Sequence, residues 1–474
     1  MERRCYISVD NGCVSQYHLA KKGQNVKEGW LRMNKRKRSW LSLSLIAGTV
    51  LLLAACGNGN EEANNTGEDG KKTLEFWSFW GSGPRREKIE ALIEDFNASQ
   101  DEIEVEHVYQ PWGDIWTKSL ASIAAGDPPD IIVQDINSVE QRADAQQAMN
   151  IQSYLDEEDE DIQTRFYPQL WDTIIYEDEA YALPFNTDTQ VLFYNKDLFE
   201  EVGLDPENPP KTWEELEEYA RALDKKNGDS WERIGFYPLW NLGTDVWALN
   251  ADNGTSWFDS EGNVTINTPE KIEALEWILE WQDYYGEDTI NTYEAEFGSG
   301  VSDPFVSGLV GIRAQNINYY TELLENAPDD FNFGVVALPE HEEGSGNWSW
   351  GGGFVLEIPY GAENPEDSYE FMKYLTSTEV QKEFGLNSFD IMANKEANEN
   401  LTKHPDLDEE GQMIYELADK NLEETVITPV PLTAPDFSAL VNEQIDEALL
   451  GNKTAKEALD DAQTSVESLV EQNK

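Results

Sequence analysis

Apolar and polar positions alternate in short stretches, and between these stretches the apolar residues recur at helical spacing. Residues 73–79 are predicted to form the first strand, residues 103–109 alternate with a period of two, and residues 131–134 form a short, mostly apolar run, which predicts three strands. Two stripes between the strands predict inward-facing helical faces: Ile89, Leu92, Ile93 and Phe96 on the first helix, and Trp116, Leu120, Ile123 and Ala124 on the second. Strands that alternate with helices of this length predict an α/β domain with a mostly parallel sheet.

Helix start signals continue along the rest of the chain. Thr212 and Glu215 have the spacing of a capping box, and Thr268-Pro269 and Pro365 are typical of helix starts. Residues 333–338 and 353–358 are predicted strands. The last predicted helix, residues 454–470, carries one apolar stripe, made of Ala455, Ala458, Leu459, Ala462, Val466 and Leu469.

The N-terminal residues have a different composition. A basic cluster at 35–38 precedes an apolar stretch at 40–53, which is too short to span a bilayer comfortably, and then Leu-Ala-Ala-Cys56. This pattern predicts a signal peptide over residues 33–55. Its end resembles the lipobox of bacterial lipoproteins, which implies a diacylglyceryl anchor on Cys56 and an extracellular location on the cytoplasmic membrane.

The residues on either side of this signal are not expected to belong to the fold. Residues 1–32 show no sustained periodicity, and we interpret them as a mis-assigned extension before a natural start at Met33. Residues 56–72 are predicted to form the lipidated cysteine and a flexible tether, because the segment is rich in Gly, Asn and Glu and nearly free of apolar residues.

Cysteine and charge content narrow the function further. The three cysteines are Cys5, Cys13 and Cys56, so the mature domain has none for disulfides, thiol catalysis or thiolate metal sites. Residues 1–55 carry 10 of the 34 basic and 3 of the 93 acidic residues, which leaves 24 against 90, a net charge of −66. Such a surface disfavours nucleic acid and anionic lipid headgroups as partners. We interpret the acidity as a hydrated surface suited to high salt or alkaline pH; capture of cationic ligands is the alternative.

Several stretches together resemble family 1 extracellular solute-binding proteins of ABC transporters, the sugar binders above all. The resemblance covers nearly the whole chain from Thr73, and it is carried by the order and spacing of the stretches GDPPDII (126–132), LPFN (183–186), VLFYNKDLF (191–199), GLDP (203–206), TWEEL (212–216), WGGG (350–353), SYEFMKYLTS (368–377) and GNKT (451–454).

The resemblance implies two α/β lobes of periplasmic-binding-protein type, joined by a hinge, with the ligand in the cleft between them. We expect crossings between the lobes near 184–188, 299–307 and 349–353. The N-terminal lobe would then comprise 73–185 plus 305–348, and the C-terminal lobe 186–304 plus 349–474. A monomer is expected, with a sugar or oligosaccharide as ligand and ABC permease subunits as partners.

Candidate ligand-binding residues follow predicted strands or lie at the expected crossings, because ligands of open α/β sheets bind beyond the carboxyl ends of the strands. Tryptophan rings can cover the C–H faces of a sugar, while amide and carboxylate groups can bind its hydroxyls. The candidates are Trp80, Ser82, Trp112, Asp135, Asn186, Trp240, Gln315, Asn316, Trp350, Gly351, Gly352 and Phe389.

Other chemistry has little support in the sequence, and we expect neither a cofactor nor a metal. Gly351–Gly353 lacks the lysine and hydroxyl of a phosphate-binding loop, and the run from Asp406 to Gly411 imitates an EF-hand loop but has Leu417 at its twelfth position. Two alternatives stay open. One is a surface glycoside hydrolase, which needs a pair of carboxylates; the other is the same fold with a cationic ligand such as a polyamine.

Overall fold

The computed structural model describes residues 71–474. The predictions for the extension 1–32, the signal peptide 33–55, Cys56 and nearly all of the tether therefore lie outside the described residues.

The strands of this part of the chain are mostly short. They are β1 (Lys72–Ser78), β2 (Ile103–Tyr109), β3 (Ile131–Asp135), β4 (Ile175–Tyr176), β5 (Glu179–Ala180), β6 (Leu183–Thr187), β7 (Gln190–Asn195), β8 (Lys225–Asn227), β9 (Ser230–Arg233), β10 (Ile312–Asn316), β11 (Phe333–Ala337), β12 (Ser349–Gly351), β13 (Gly353–Glu357), β14 (Ile391–Met392) and β15 (Thr425–Ile427).

The helices are α1 (Gly83–Ser99), α2 (Asp114–Ala125), α3 (Val139–Asp144), α4 (Gln152–Asp156), α5 (Pro168–Trp171), α6 (Lys196–Val202), α7 (Trp213–Leu223), α8 (Thr244–Ala251), α9 (Pro269–Tyr285), α10 (Glu287–Glu294), α11 (Tyr319–Asn326), α12 (Pro365–Leu375), α13 (Thr378–Ser388), α14 (Lys395–Leu401), α15 (Glu409–Asn421), α16 (Phe437–Leu449) and α17 (Ala455–Asn473).

Local signals place several of these helices correctly. The apolar stripe predicted for α1 is the one that is buried. The Thr212 side chain caps α7 by accepting a hydrogen bond from the Glu215 N–H, and Thr454 and Glu457 form a complete capping box at the start of α17. The predicted face of α2 is wrong, because the helix buries Ile115 and Ser119 and leaves Trp116 partly exposed.

The larger sheet has the strand order β14-β6-β13-β3-β1-β2. Its β1 pairs in parallel with β2 and β3, as expected, but β13 runs antiparallel to both β3 and β6, and β14 runs antiparallel to β6. The expectation of mostly parallel pairing is therefore wrong, because three of the five pairings in this sheet are antiparallel. The physical reason is that the chain leaves the sheet at the carboxyl end of β6 and re-enters it at the same end of the neighbouring β13. The strand β13 must therefore run in the opposite direction.

A second sheet has the order β10-β7-β11, with both outer strands antiparallel to β7. We call the lobe built on the six-stranded sheet the first lobe and the lobe built on this sheet the second lobe. Residues 305–348 were expected in the N-terminal lobe, but β10 and β11 pair with β7, which places them in the second lobe.

The C-terminal part of the chain also differs from the expected division. The helices after β13 pack on the first lobe, where Phe371 lies against Phe76 with ring centroids 5.6 Å apart. The chain returns to the second lobe at β15, which pairs with β12, and Gln463 of α17 donates to the Val264 carbonyl. The pairing thus places β1, β2, β3, β6, β13 and β14 in the first lobe and β7, β10 and β11 in the second.

Two of the three expected crossings coincide with the observed ones, between β6 and β7 and between β12 and β13. The crossing expected at 299–307 is wrong. Phe305 packs on Tyr319 within the second lobe, and the third crossing is at Thr425 instead.

Candidate functional site

One end of the larger sheet collects polar and aromatic side chains. The carboxyl ends of β1, β2, β3 and β6 meet there, and β13 and β14 begin there because they run in the opposite direction. The register shows this directly, since Asp135 at the end of β3 pairs with Phe354 at the start of β13, and Thr187 at the end of β6 pairs with both Gly353 and Ile391. We call this end of the sheet, where the crossings also lie, the site edge.

Four partly exposed aromatic rings follow one another along the site edge. The centroid of Phe79 lies 4.7 Å from that of Phe354 and 4.7 Å from that of Trp112, and Trp112 lies 4.8 Å from Trp116. All of these contacts are edge-to-face, so each ring keeps part of a face or edge open. We call Phe354, Phe79, Trp112 and Trp116 the aromatic row.

Gly352 precedes Phe354 of this row by two residues and has room for a methyl group in front of its Cα. A methyl group on its Cα would lie 3.6 Å from Cη2 of Trp350 and 3.8 Å from both Nδ2 of Asn137 and Oδ1 of Asp188. These are ordinary van der Waals distances, so the space between the three side chains accepts a group of methyl size. The Oδ1 atom of Asn137 is buried and has no hydrogen-bond partner among the described residues. We call this space the Gly352 recess.

Asp188 is the most distinctive residue of the recess. All residues from 182 to 195 are buried except Asp188, which is partly exposed. Its Oδ1 accepts a hydrogen bond of 2.7 Å from the Gly352 N–H. Burial raises the pKa of this carboxyl group to about 6, and the nearby charges of Asp390 and Asp135 act in the same direction.

Asp135 lies at the end of β3, in the loop that leads to Asn137. Its carboxylate accepts a hydrogen bond of 2.8 Å from the Asn137 N–H, and burial raises its pKa. The Arg142 guanidinium holds this loop from behind, because it donates to the Asp135 carbonyl at 2.8 Å and forms a buried ion pair with Glu357. The loop is thus fixed by groups that do not face the recess.

The segments that cross between the lobes are joined by buried hydrogen bonds. The Thr187 hydroxyl donates to the Gly352 carbonyl at 2.8 Å, which links the first crossing to the second. The Thr189 and Thr425 hydroxyls lie 2.6 Å apart, and the Asn421 amide donates to Thr189, which links the first crossing to the third. The site edge is therefore next to a connected hinge.

Some predicted site residues lie together at the site edge. Trp112 belongs to the aromatic row, while Trp350 and Gly352 line the recess and Asp135 lies in the loop beside it. Trp350 is oriented by its Nε1–H, which donates to Thr428 at 3.0 Å. These four remain candidates for ligand contact.

Other predicted residues at this edge have structural roles. Trp80 is 3% exposed and packs on Phe185, so it belongs to the core. Asn186 is buried and accepts a hydrogen bond from the Phe354 N–H, and Gly351 is buried against the Asp188 carbonyl. Ser82 is exposed at the start of α1 without capping it. We no longer propose Trp80, Asn186 or Gly351 as ligand contacts.

The remaining candidates are held elsewhere. Phe389 is buried between Tyr320 and Tyr415, with centroids 4.8 and 5.3 Å away. Trp240 is buried and stacked on Tyr293 in the second lobe.

Gln315 and Asn316 are also buried, and they lie at the hinge end of β10, where Asn316 pairs with Gln190. The Oδ1 atom of Asn316 has no partner among the described residues, so this residue keeps a polar atom available near the hinge.

The sequence did not suggest five residues that the structure places at the site edge: Phe79, Trp116, Asn137, Asp188 and Phe354. The alternation in β1 could have separated Phe79 from Trp80, because Leu74, Phe76 and Ser78 share the buried phase of Trp80 and Phe79 does not. No local signal reveals the pair of Arg85 and Asp390, whose two hydrogen bonds of 2.8 and 2.6 Å join positions 305 residues apart.

A serine–histidine–acid arrangement occurs below the site edge but is closed to substrate. The Ser78 Oγ atom lies 2.7 Å from His107 Nε2, and His107 Nδ1 lies 3.8 Å from Glu90. Ser78 is 0% exposed, so no substrate can reach its hydroxyl. The EF-hand-like run is also explained structurally, since Asp408 caps α15 by accepting from the Gly411 N–H at 2.7 Å. Within residues 71–474 no group of three or more potential ligands is arranged to hold a metal ion.

The family model described as bacterial extracellular solute-binding protein matches residues 81–382. The chain belongs to this family. The resemblance that the sequence carries is therefore confirmed, and this solute-binding protein shares its two-lobed α/β fold with solved structures. One is CpMnBP1 with mannobiose bound, which has a TM-score of 0.71 and 25% identity over 83% of this chain and 99% of that one. Another is maltose-bound MalE3 of T. maritima, with a TM-score of 0.69 and 23% identity over 84% of this chain and 99% of that one.

Relatives of this solute-binding protein also include proteins named for a phosphorylated ligand. The sn-glycerol-3-phosphate-binding periplasmic protein UgpB of Salmonella typhimurium strain LT2 is 25% identical, over 82% of this chain and 90% of that protein. UgpB of Agrobacterium fabrum is 24% identical over the same shares of each chain. These two relatives are named for binding sn-glycerol 3-phosphate, whereas the two solved structures are named for a bound disaccharide.

Proposed function

We propose that this protein captures a sugar or oligosaccharide between its two lobes and delivers it to an ABC importer without altering it. The observation that carries the proposal is the position of the aromatic row beside the Gly352 recess, at an edge that is linked to the hinge. Partly exposed rings suit the C–H faces of a sugar, and the Asp188 and Asn137 side chains suit its hydroxyls.

Closure of the lobes would follow from contacts on both sides of the ligand. Trp350 belongs to the second lobe through β12, whereas Asp188 and Gly352 lie on the crossings and the aromatic row belongs to the first lobe. A ligand that touches all of them binds the closed state more tightly than the open one, and so shifts the population toward closure. A permease that recognises the closed state would then receive loaded protein.

We propose that the protein acts at the outer face of the cytoplasmic membrane, as a monomer held by a lipid anchor on Cys56. Two acyl chains give stable attachment where one gives only marginal binding. Among residues 71–474 no helix is long and apolar enough to cross a bilayer. Labelling of cells with a palmitate analogue tests the anchor, since Cys56→Ser should lose the label and leave the membrane fraction.

The experiment on the ligand uses residues 57–474 and follows tryptophan fluorescence during titration with oligosaccharides, monosaccharides and polyamines. Each ligand is then recovered and examined by chromatography. A saturable change with a sugar that is recovered intact supports the proposal. A cleaved sugar would indicate a glycoside hydrolase, and a response to polyamines alone would mean a cationic ligand in the same fold.

A further inference from the structure

The site edge carries more acidic than basic groups. Asp390 is paired with Arg85, and Glu357 is paired with Arg142. Arg85 also acts on Asp188 and Arg142 on Asp135, and each favours the charged form of that carboxyl group, but their ion pairs are made with Asp390 and Glu357. These four carboxyl groups therefore share two guanidinium groups.

Above pH 6, where the Asp188 carboxyl group is mostly ionised because its pKa is about 6, its position makes the charge effective toward a ligand. Its Oδ1 atom borders the open space in front of Gly352, so a ligand atom in the recess would lie close to the carboxylate. Asp188 is only partly exposed, so its electrostatic interactions are screened less than those of a fully exposed carboxylate. An anionic group in the recess would also bring its charge near Asp135 and Asp390, which already act on Asp188.

We infer that Asp188, supported by Asp135, is a specificity-determining residue that admits saccharides without anionic groups and excludes phosphorylated solutes, including sn-glycerol 3-phosphate. The inference rests on the proposed function. It separates this protein from the relatives named for sn-glycerol 3-phosphate, because charge repulsion against the wrong ligand gives specificity that contact with the right ligand does not.

The test compares pairs of ligands that differ only in a phosphate. Maltose and mannobiose, each with its 1-phosphate, and sn-glycerol 3-phosphate are titrated calorimetrically into wild-type protein, Asp188→Asn and Asp135→Asn. Asp101→Asn is the matched control, because Asp101 is exposed before the start of β2, at the opposite end of the sheet. Thermal unfolding of every variant confirms that it is folded.

The wild-type protein is expected to bind the neutral disaccharide at least about a hundredfold more tightly than its phosphate. Asp188→Asn should reduce this ratio by about tenfold, because one repulsive charge is removed. The reduction should be smaller at high salt, because salt already screens the repulsion in the wild-type protein. Asp135→Asn should reduce it less, and Asp101→Asn should leave it unchanged.

Two results would overturn the inference while the proposed function stands: equal binding of the two forms by wild type, or an unchanged ratio in Asp188→Asn. Binding of sn-glycerol 3-phosphate with no response to any saccharide would refute both. No binding of any of these ligands, by protein that unfolds cooperatively, would count against the proposed function and remove the basis of the inference.

Discussion

The three consecutive glycines at 351–353 allow one substitution to probe three different environments. Each residue is changed to alanine, which adds a single methyl group. At Gly352 this methyl would lie at ordinary van der Waals distance from its neighbours, 3.6 Å or more. At Gly351 it would lie 2.5 Å from the Asp188 carbonyl oxygen and 2.6 Å from Cγ2 of Thr425. At Gly353 it would overlap the Asn186 carbonyl, and the backbone φ is +138°.

The expected magnitudes differ accordingly. Gly352→Ala should change the free energy of unfolding by no more than about 1 kcal/mol, because the site accepts the methyl and the unfolded chain loses freedom. Gly351→Ala should cost about 1–3 kcal/mol, since it overpacks a buried contact. Gly353→Ala should cost more than that, because backbone strain adds about 1–3 kcal/mol to the overlap.

Gly352→Ala, the variant with the smallest expected effect on stability, should nevertheless weaken ligand binding. The methyl of Gly352→Ala occupies the recess and would overpack against a bound ligand. A cost of about 1–3 kcal/mol for this overpacking corresponds to a loss of about 5- to 150-fold in affinity. Denaturant unfolding measures stability, and tryptophan fluorescence with the ligand found in the panel measures affinity. The reasoning is refuted if Gly352→Ala binds the ligand as wild type does, or if it is less stable than Gly353→Ala.

Three further predictions concern the site edge. The pKa of Asp188 is about 6 in the folded protein against 3.8 for the free side chain, so its contribution to stability is fully present below pH 4 and is lost as the pH rises through 6. Asp188→Asn should therefore gain stability over wild type between pH 4 and pH 7, by on the order of 2–3 kcal/mol, as measured by chemical unfolding across that range; a constant difference would contradict the shift. Trp350→Ala should abolish ligand binding while the far-UV spectrum stays unchanged, and unchanged affinity would remove Trp350 from the site. Arg142→Leu should lower stability by about 3–5 kcal/mol because Glu357 stays buried without its partner; the double change with Glu357→Leu should recover most of this loss, and equal losses in the single and double variants would refute the pairing argument.

Local periodicity accounts for the parts of the fold that the sequence predicts well. The buried stripe of α1, the caps of α7 and α17 and the parallel pairing of β1 with β2 and β3 depend on contacts within about one turn or between neighbouring elements. Such patterns are determined by helix geometry and by the alternation of strands, so they do not require knowledge of the chain path. The family resemblance and the composition are likewise properties of the sequence as printed.

The candidate site was predicted less well, because alternative phases of the same local pattern are equally apolar. Phe79 and Trp80 are adjacent aromatic residues just after β1, and only their phase relative to that strand separates Trp80 in the core from Phe79 in the aromatic row. In α2, Ile115 and Trp116 compete in the same way, and the contact with the sheet selects Ile115. A shift of one residue changes the face on which a side chain lies.

The sequence by itself thus determined the family, the two-lobed α/β class and the acidic, cysteine-free character of residues 57–474. Only the tertiary structure decided which chain segments form each lobe, because β13 joins the first sheet after a long excursion through the second. That same return places Gly352 beside Asn137 and Asp188, of which Asp188 lies 164 positions earlier in the chain, and so creates the recess. The physical reason is that strand pairing between distant segments depends on where the chain crosses between lobes, which no local pattern encodes.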